Sequence, residues 1–183
     1  MIGTGIARRY ATALFKVGLE DGQVEKYGEE IEVFADFLDS DKEIRMYLNT
    51  PLYEKALRTK VLETLIEKIN PSEVVKRFIA LLFEKKRLLF LRDICKYYKA
   101  LVDEYKGICR AQLITAVPLE EEEIGKIKEK LKEVTGRKEV VLEIKEDPSL
   151  IGGVITKIGD VIYDGSIRTQ LNILKENIKR GEV

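Results

Sequence analysis

Histidine is absent from this chain, and only two cysteines occur, Cys95 and Cys109. Without imidazole, His-dependent triads, His metal ligands and a proton switch near neutral pH are excluded. The two cysteines are too few and too far apart for a CxxC redox pair or a thiolate zinc site. They read as small buried hydrophobes in a reduced, intracellular setting. Glu120 to Glu123 is the densest run of acid–base or metal-ligating groups. Consecutive helical residues point in four directions, so these carboxylates do not converge on one ion. They complement the positive end of a helix instead, with Glu122 and Lys126 as an i,i+4 pair. Gly152-Gly153, followed by Lys157, Gly159 and Asp160, suggests a phosphate cradle. The P-loop, however, requires GxxxxGK[ST] running into a helix, whereas these glycines run into alternating strands. They are read as permitting positive φ or close strand approach. Lys85-Lys86-Arg87, with Tyr97-Tyr98 nearby, could meet acidic lipid or nucleic acid, but reads more simply as a solvated helix end. No catalytic residue, cofactor site or metal site is expected.

The elements that carry these residues fall into two textures. Six helices are expected over 5–20, 23–39, 41–48, 54–69, 72–86 and 89–106, from apolar positions three and four apart. Pro51 and Pro71 mark breaks, with Pro71 in a first helical turn. Short helices must pack as a bundle to persist in water. After Gly107 the pattern changes to a β-branched strand over 108–117, a helix over 119–135 and an alternating strand over 139–146. Two strands, 153–158 and 161–164, flank the turn pair Gly159-Asp160, and Ser166 caps a last helix with the stripe Ile167, Leu171, Leu174 and Ile178. The expected fold is therefore a six-helix bundle over 1–106 and a small α/β domain with a mixed sheet over 107–183. At 183 residues the chain can hold two small domains. Basic and acidic side chains balance at 32 each, which removes support for a polyelectrolyte partner. An RNA-binding or ribonucleoprotein module, the alternative reading, needs a basic face that neither half offers. No run approaches the roughly 20 apolar residues that span a bilayer, so direct membrane insertion is not expected.

Two helices have apolar faces too wide for one packing contact. The first confines Arg8, Arg9, Thr12, Lys16 and Glu20 to a third of its circumference, and helix 72–86 sets seven apolar residues opposite Glu73, Lys76, Arg77 and Glu84. Either both helices are central in the bundle, or one edge of each lines a groove for a partner helix.

The segment Ile6-Ala7-Arg8-Arg9-Tyr10-Ala11-Thr12-Ala13-Leu14-Phe15, the run Glu84-Lys85-Lys86-Arg87-Leu88, and Asp147-Pro148-Ser149-Leu150-Ile151-Gly152-Gly153-Val154 with Gly159-Asp160 and Asp164-Gly165-Ser166-Ile167-Arg168 carry a resemblance. Over essentially its whole length the chain resembles the delta subunit of bacterial F-type ATP synthase, the counterpart of the mitochondrial oligomycin-sensitivity-conferring protein. The resemblance implies a non-catalytic stator subunit, one copy per complex, peripheral on the cytoplasmic face of the bacterial membrane. Its helical bundle would cap the alpha/beta head, and its second domain would hold the C-terminal region of the b subunit. The N-terminal helix of an alpha subunit would lie between the first and fifth helices. Tyr10, Ala13 and Leu81 would contact it at matching motif positions, with Leu14, Val17 and Phe78 beside them. Arg77 stands where relatives often carry Asn, and Arg9 where some carry Pro. Asp147, Gly152, Gly153, Gly159, Asp160, Asp164 and Ser166 are expected to define turns and caps.

Overall fold

Local signals account for some element ends in the computed structural model, which describes residues 2–50, 52–159 and 161–180. Pro51 and Asp160, named above at breaks, lie outside these residues. The chain divides into two compact units, Met1–Val102 and Asp103–Val183. That division falls inside a helix, a little upstream of the expected change near Gly107.

The first unit holds α1 (Ile2–Asp21), α2 (Val24–Ser40), α3 (Lys42–Asn49), α4 (Lys55–Ile69), α5 (Glu73–Glu84) and, after a 3₁₀ turn over Leu88–Phe90, most of α6 (Leu91–Lys106). Asp41 starts α3 by accepting the Glu43 and Ile44 N–H groups at 3.0 Å each, so two donors that the helix cannot pair are satisfied. Pro71 departs from expectation. It lies ahead of the N-cap Ser72 rather than in the first turn, because the Ser72 N–H and hydroxyl both donate to the Glu30 carboxylate and fix the chain there in extended conformation. The core gathers around Tyr98 of α6, which is 1% exposed and donates to the Val24 carbonyl at 2.7 Å. Gly18 and Gly28 make room for its ring: a Cβ at Gly28 would sit 3.0 Å from Tyr98 Cε1. Phe15 meets the same ring edge-on.

The second unit carries β1 (Ile108–Thr115), α7 (Glu121–Thr135), β2 (Glu139–Glu146), β3 (Val154–Ile158), β4 (Val161–Asp164) and α8 (Ile167–Arg180). The sheet order is β2-β1-β3-β4. β1 and β2 are parallel and need the crossover helix α7, while β3 runs antiparallel to both β1 and β4. Cys109, Ala111, Leu113 and Thr115 are the buried face of β1, and the first three stand in register with Val140, Leu142 and Ile144. Among the glutamates, Glu120 and Glu123 form a reciprocal capping box and Glu122 pairs with Lys126 at 2.6 Å. Gly153 has φ +76°, and a Cβ there would overlap the Gly165 carbonyl oxygen, so the close approach of two backbone segments excludes any side chain. Both cysteines are buried and unbridged; burial pushes the Cys95 thiol up to about 12.

The α8 stripe, an apolar face of a width that suits a single packing surface, stays open in this unit: Ile167, Leu171, Leu174 and Ile178 are all exposed, from 41 to 59%. Within its unit α8 packs chiefly on the 3₁₀ turn Pro148–Leu150 and buries none of its residues.

Candidate partner-binding surfaces

At 100° per residue, Ala7, Ala11, Leu14 and Gly18 form the inward face of α1, and all four are buried. The neighbouring stripe, Tyr10, Ala13 and Val17, is turned outward: Tyr10 is half-buried, Ala13 is exposed and Val17 is 37% exposed. On α5, Val75, Phe78, Ile79 and Leu82 enter the core, whereas Leu81 remains 41% exposed. The excess apolar width of these two helices is thus not consumed by the bundle. Of the six residues expected at a partner site, Ala13, Val17 and Leu81 offer open surface. Leu14 and Phe78 belong to the core and offer almost none, since their side chains point under the outward stripe.

Tyr10 joins the two helices. Its ring meets Phe78 edge-on, with centroids 6.2 Å apart, and its hydroxyl accepts a hydrogen bond from Arg87 Nη1 at 2.7 Å. The guanidinium carbon lies over the ring, 5.4 Å from its centroid, so a cation–π contact accompanies the charge-assisted hydrogen bond. Arg87 gets there through the end of α5. Lys86 adopts φ +55°, its N–H bonds to the Phe83 carbonyl, and the Arg87 N–H bonds to the Leu82 carbonyl at 2.7 Å. This paired C-terminal turn normally uses glycine at the left-handed position. With lysine there, the sequence conceals the turn, and Lys85-Lys86-Arg87 reads as a uniform solvated run. Only Arg87 folds back.

In the second unit, Asp164 accepts the Ser166 N–H at 2.9 Å and the Thr169 hydroxyl at 2.8 Å, while the buried Ser166 hydroxyl caps the Thr169 N–H. Asp147 likewise accepts the Ser149 N–H, and Arg168 donates to the Ser149 hydroxyl. These hydrogen bonds hold both carboxyls below their ordinary range, chiefly through Ser149 for Asp147 and Ser166 for Asp164. The result is a braced start for α8, from which its apolar stripe projects into solvent. Ile151, at φ +68° and 65% exposed, adds to the same apolar character near that start, as do Val161, Ile162 and Tyr163 of β4. A hydrophobic stripe in a sequence signals that something must cover it but not whether the cover belongs to the same chain.

The remaining polar constellations are structural. Arg92 of α6 bonds to Asp36 and Asp39 of α2, and Asp39 also pairs with Arg45 of α3, which locks three helices at their polar ends. Among the described residues no group of three Cys, Asp or Glu side chains could hold a metal ion, and no helix is long and apolar enough to cross a membrane. A concavity of about 390 Å³ beside α6 is lined by Asp93, Lys96, Tyr97 and Ala100, which do not form an acid–base pair with a nucleophile.

Each unit thus carries an outward apolar surface among its described residues. Residues 6–178 match the family described as ATP synthase delta (OSCP) subunit. The chain is 46% identical to the ATP synthase subunit delta of Desulfosudis oleivorans, covering 97% of this chain and 96% of that protein. It is 47% identical to the same subunit of Desulfatibacillum aliphaticivorans, with the same coverage, and 42% identical to that of Desulforapulum autotrophicum over 100% of this chain and 99% of that protein. Its fold is similar to a chain in the cryo-EM structure of the Toxoplasma gondii mitochondrial ATP synthase hexamer, with a TM-score of 0.70, 22% identity and coverage of 94% and 96%. A full-length match at this identity leaves one conclusion: the chain belongs to the ATP synthase delta (OSCP) subunit family.

Proposed function

We propose that this chain links the alpha/beta catalytic head to the peripheral b stalk through the two apolar surfaces just described, one in each unit. As a member of its family it is a non-catalytic component of the peripheral stalk of an F-type ATP synthase. The first unit takes the amphipathic N-terminal helix of an alpha subunit along Tyr10, Ala13, Val17 and Leu81, over a floor of Leu14 and Phe78. The second unit takes the C-terminal region of the b subunit on the α8 stripe. One copy serves each complex, held peripherally on the cytoplasmic face of the membrane.

The mechanism is mechanical. Rotation of a central shaft exerts torque on the head, and the stator must return that force without slipping. Apolar burial suits such a joint because, at about 25 cal/mol per Å², it is little affected by salt, whereas exposed charges such as Arg9 and Arg77 set register. A helix burying several hundred Å² gains on the order of several kcal/mol before association costs, so a second attachment contributes avidity. The observation that carries this reading is the outward exposure of Ala13, Val17 and Leu81, with Leu19 and Ala80 also open, on helices whose remaining described apolar residues are buried or half-buried.

The test titrates the full chain with a synthetic peptide copying the N-terminus of the alpha subunit from the same organism. Saturable one-to-one binding is expected, and Leu81→Glu abolishes it while leaving the melting curve in place. Unchanged affinity in that variant would remove the assigned surface.

A further inference from the structure

We propose that Arg87 is a positioning residue for partner binding: it holds the Tyr10 phenol so that the ring stands as a preset wall of the α1/α5 surface. The inference rests on the reading of that surface as a partner-helix site, and it deepens that reading by assigning a role to a residue outside the surface itself.

The geometry converges on this role from three sides. Tyr10 is half-buried at the head of the outward stripe that continues through Ala13 and Val17. A tyrosine at such a place has two side-chain torsions to fix, and a ring left to choose among rotamers would lose that freedom each time a partner docked. Here both ends of the ring are fixed in advance. Phe78 packs against it edge-on, at an interplanar angle of 66°, and Arg87 holds the hydroxyl at 2.7 Å. The contact crosses 77 positions of sequence and ties α1 to the chain just beyond α5, so it also fixes the spacing of the two helices that would grip a partner.

The backbone that delivers Arg87 is itself costly. Lys86 occupies a left-handed conformation that glycine would adopt without penalty, and the turn is completed by the Arg87 N–H on the Leu82 carbonyl. Its two lysines stay at the solvent side, with Lys85 pairing with Glu84, while Arg87 alone turns inward. A lysine at 87 would present one compact ammonium on a flexible stem. Arginine presents a planar fork, which sets direction as well as charge.

The experiment is a double-mutant cycle on affinity in the full chain, with the same alpha-derived peptide as probe and calorimetry as readout. Arg87→Gln and Tyr10→Phe remove the same hydrogen bond from opposite ends. Each is expected to weaken binding about tenfold, the double variant no more than either alone, and Arg87→Lys to recover part of the loss. Should Arg87→Gln unfold the bundle, Tyr10→Phe still removes the contact while keeping the ring and its Phe78 packing. Equal losses from Arg87→Gln in the wild-type and Tyr10→Phe backgrounds would overturn the proposal, because Arg87 would then act other than through Tyr10. Unchanged affinity in both single variants, with Leu81→Glu still abolishing binding, would overturn it too and leave the partner surface standing. Unchanged affinity in all three would overturn the surface itself.

Discussion

The two units spend their apolar residues differently. In the first, the large side chains of α2 and α6 are nearly all enclosed: Ile31, Phe34, Ile94 and Tyr98 are at most 1% exposed, and only the α1/α5 edge and scattered residues elsewhere stay open. In the second, neither α7 nor α8 has a fully buried residue, and Val161, Ile162 and Tyr163 of β4 all lie more than half exposed. A domain with a closed core stands on its own packing. A domain whose helices lie half-open gains stability from what binds it. On the function proposed above, the difference teaches that the two attachments of a stator need not be built alike: the first unit would present a finished surface, whereas the second would be completed by its partner.

The largest effect that could break this comparison is in the bundle. Phe34→Ala removes a fully enclosed ring and should cost about 3–5 kcal/mol, whereas Tyr163→Ala, at an aromatic of the second unit that is 55% exposed, should stay within about 0.5 kcal/mol. Urea denaturation of the two variants reads both values. Similar losses would mean that β4 is better supported than its exposure indicates.

Next is Gly153→Ala. A Cβ there meets the Gly165 carbonyl oxygen, a backbone atom that cannot swing aside, and φ +76° is strained for alanine in any case. A loss of at least about 2 kcal/mol is expected, visible as earlier melting of the second unit's strands. Gly125→Ala, on α7 with open space around it, serves as the control and should be neutral or slightly stabilising.

Glycines and caps of this kind are legible in the sequence because their reasons are local. Asp41, Glu120 and Ser166 each satisfy a helix end within three residues, and Gly153 sits in a motif that announces a turn. The Arg87–Tyr10 bond is not legible. Its partners are 77 positions apart, and the turn that joins them carries lysine where the usual signal is glycine. The α8 stripe is legible as an apolar face but its cover is not, since periodicity gives the face and only the fold shows that none of the described residues of its own unit encloses it. The six contact residues that the resemblance implies show the same division: the family motif puts them on two helices, and packing then separates outward Ala13, Val17 and Leu81 from inward Leu14 and Phe78.

The two units should also fail at opposite ends of the pH scale. Asp147 and Asp164 have folded pKa values lowered by their hydrogen bonds, below the ordinary 3.8, so their contribution is present above that value and is lost as pH falls through the folded value. Tyr27 of the bundle donates to Asp21 at 2.7 Å, and that hydrogen bond, ahead of burial, raises its pKa from 10.0 to about 12. Its contribution is present below 10 and fades as pH rises toward 12. Acid melts should therefore disturb the second unit, with Asp164→Asn flattening that limb. Alkaline melts should disturb the first, with Tyr27→Phe flattening the other. Limbs unaffected by these substitutions would assign the pH dependence to other groups.

The smallest effect is the most informative about the second unit. Leu171 and Leu174 stand 51 and 55% exposed on a helix that buries nothing, so replacing both by serine deletes little packing and should change stability by less than about 0.5 kcal/mol each, mostly through helix propensity. The same double change should abolish capture, by the full chain, of a fragment from the C-terminal end of the b stalk, measured by calorimetry, while binding of the alpha-derived peptide at the bundle continues unaltered. A surface residue that contributes nothing to the free fold and decides an association is what separates an interface from a core. If Leu171→Ser and Leu174→Ser instead melt the second unit, the stripe is already covered in the free chain, and the contrast between a finished and a partner-completed domain fails.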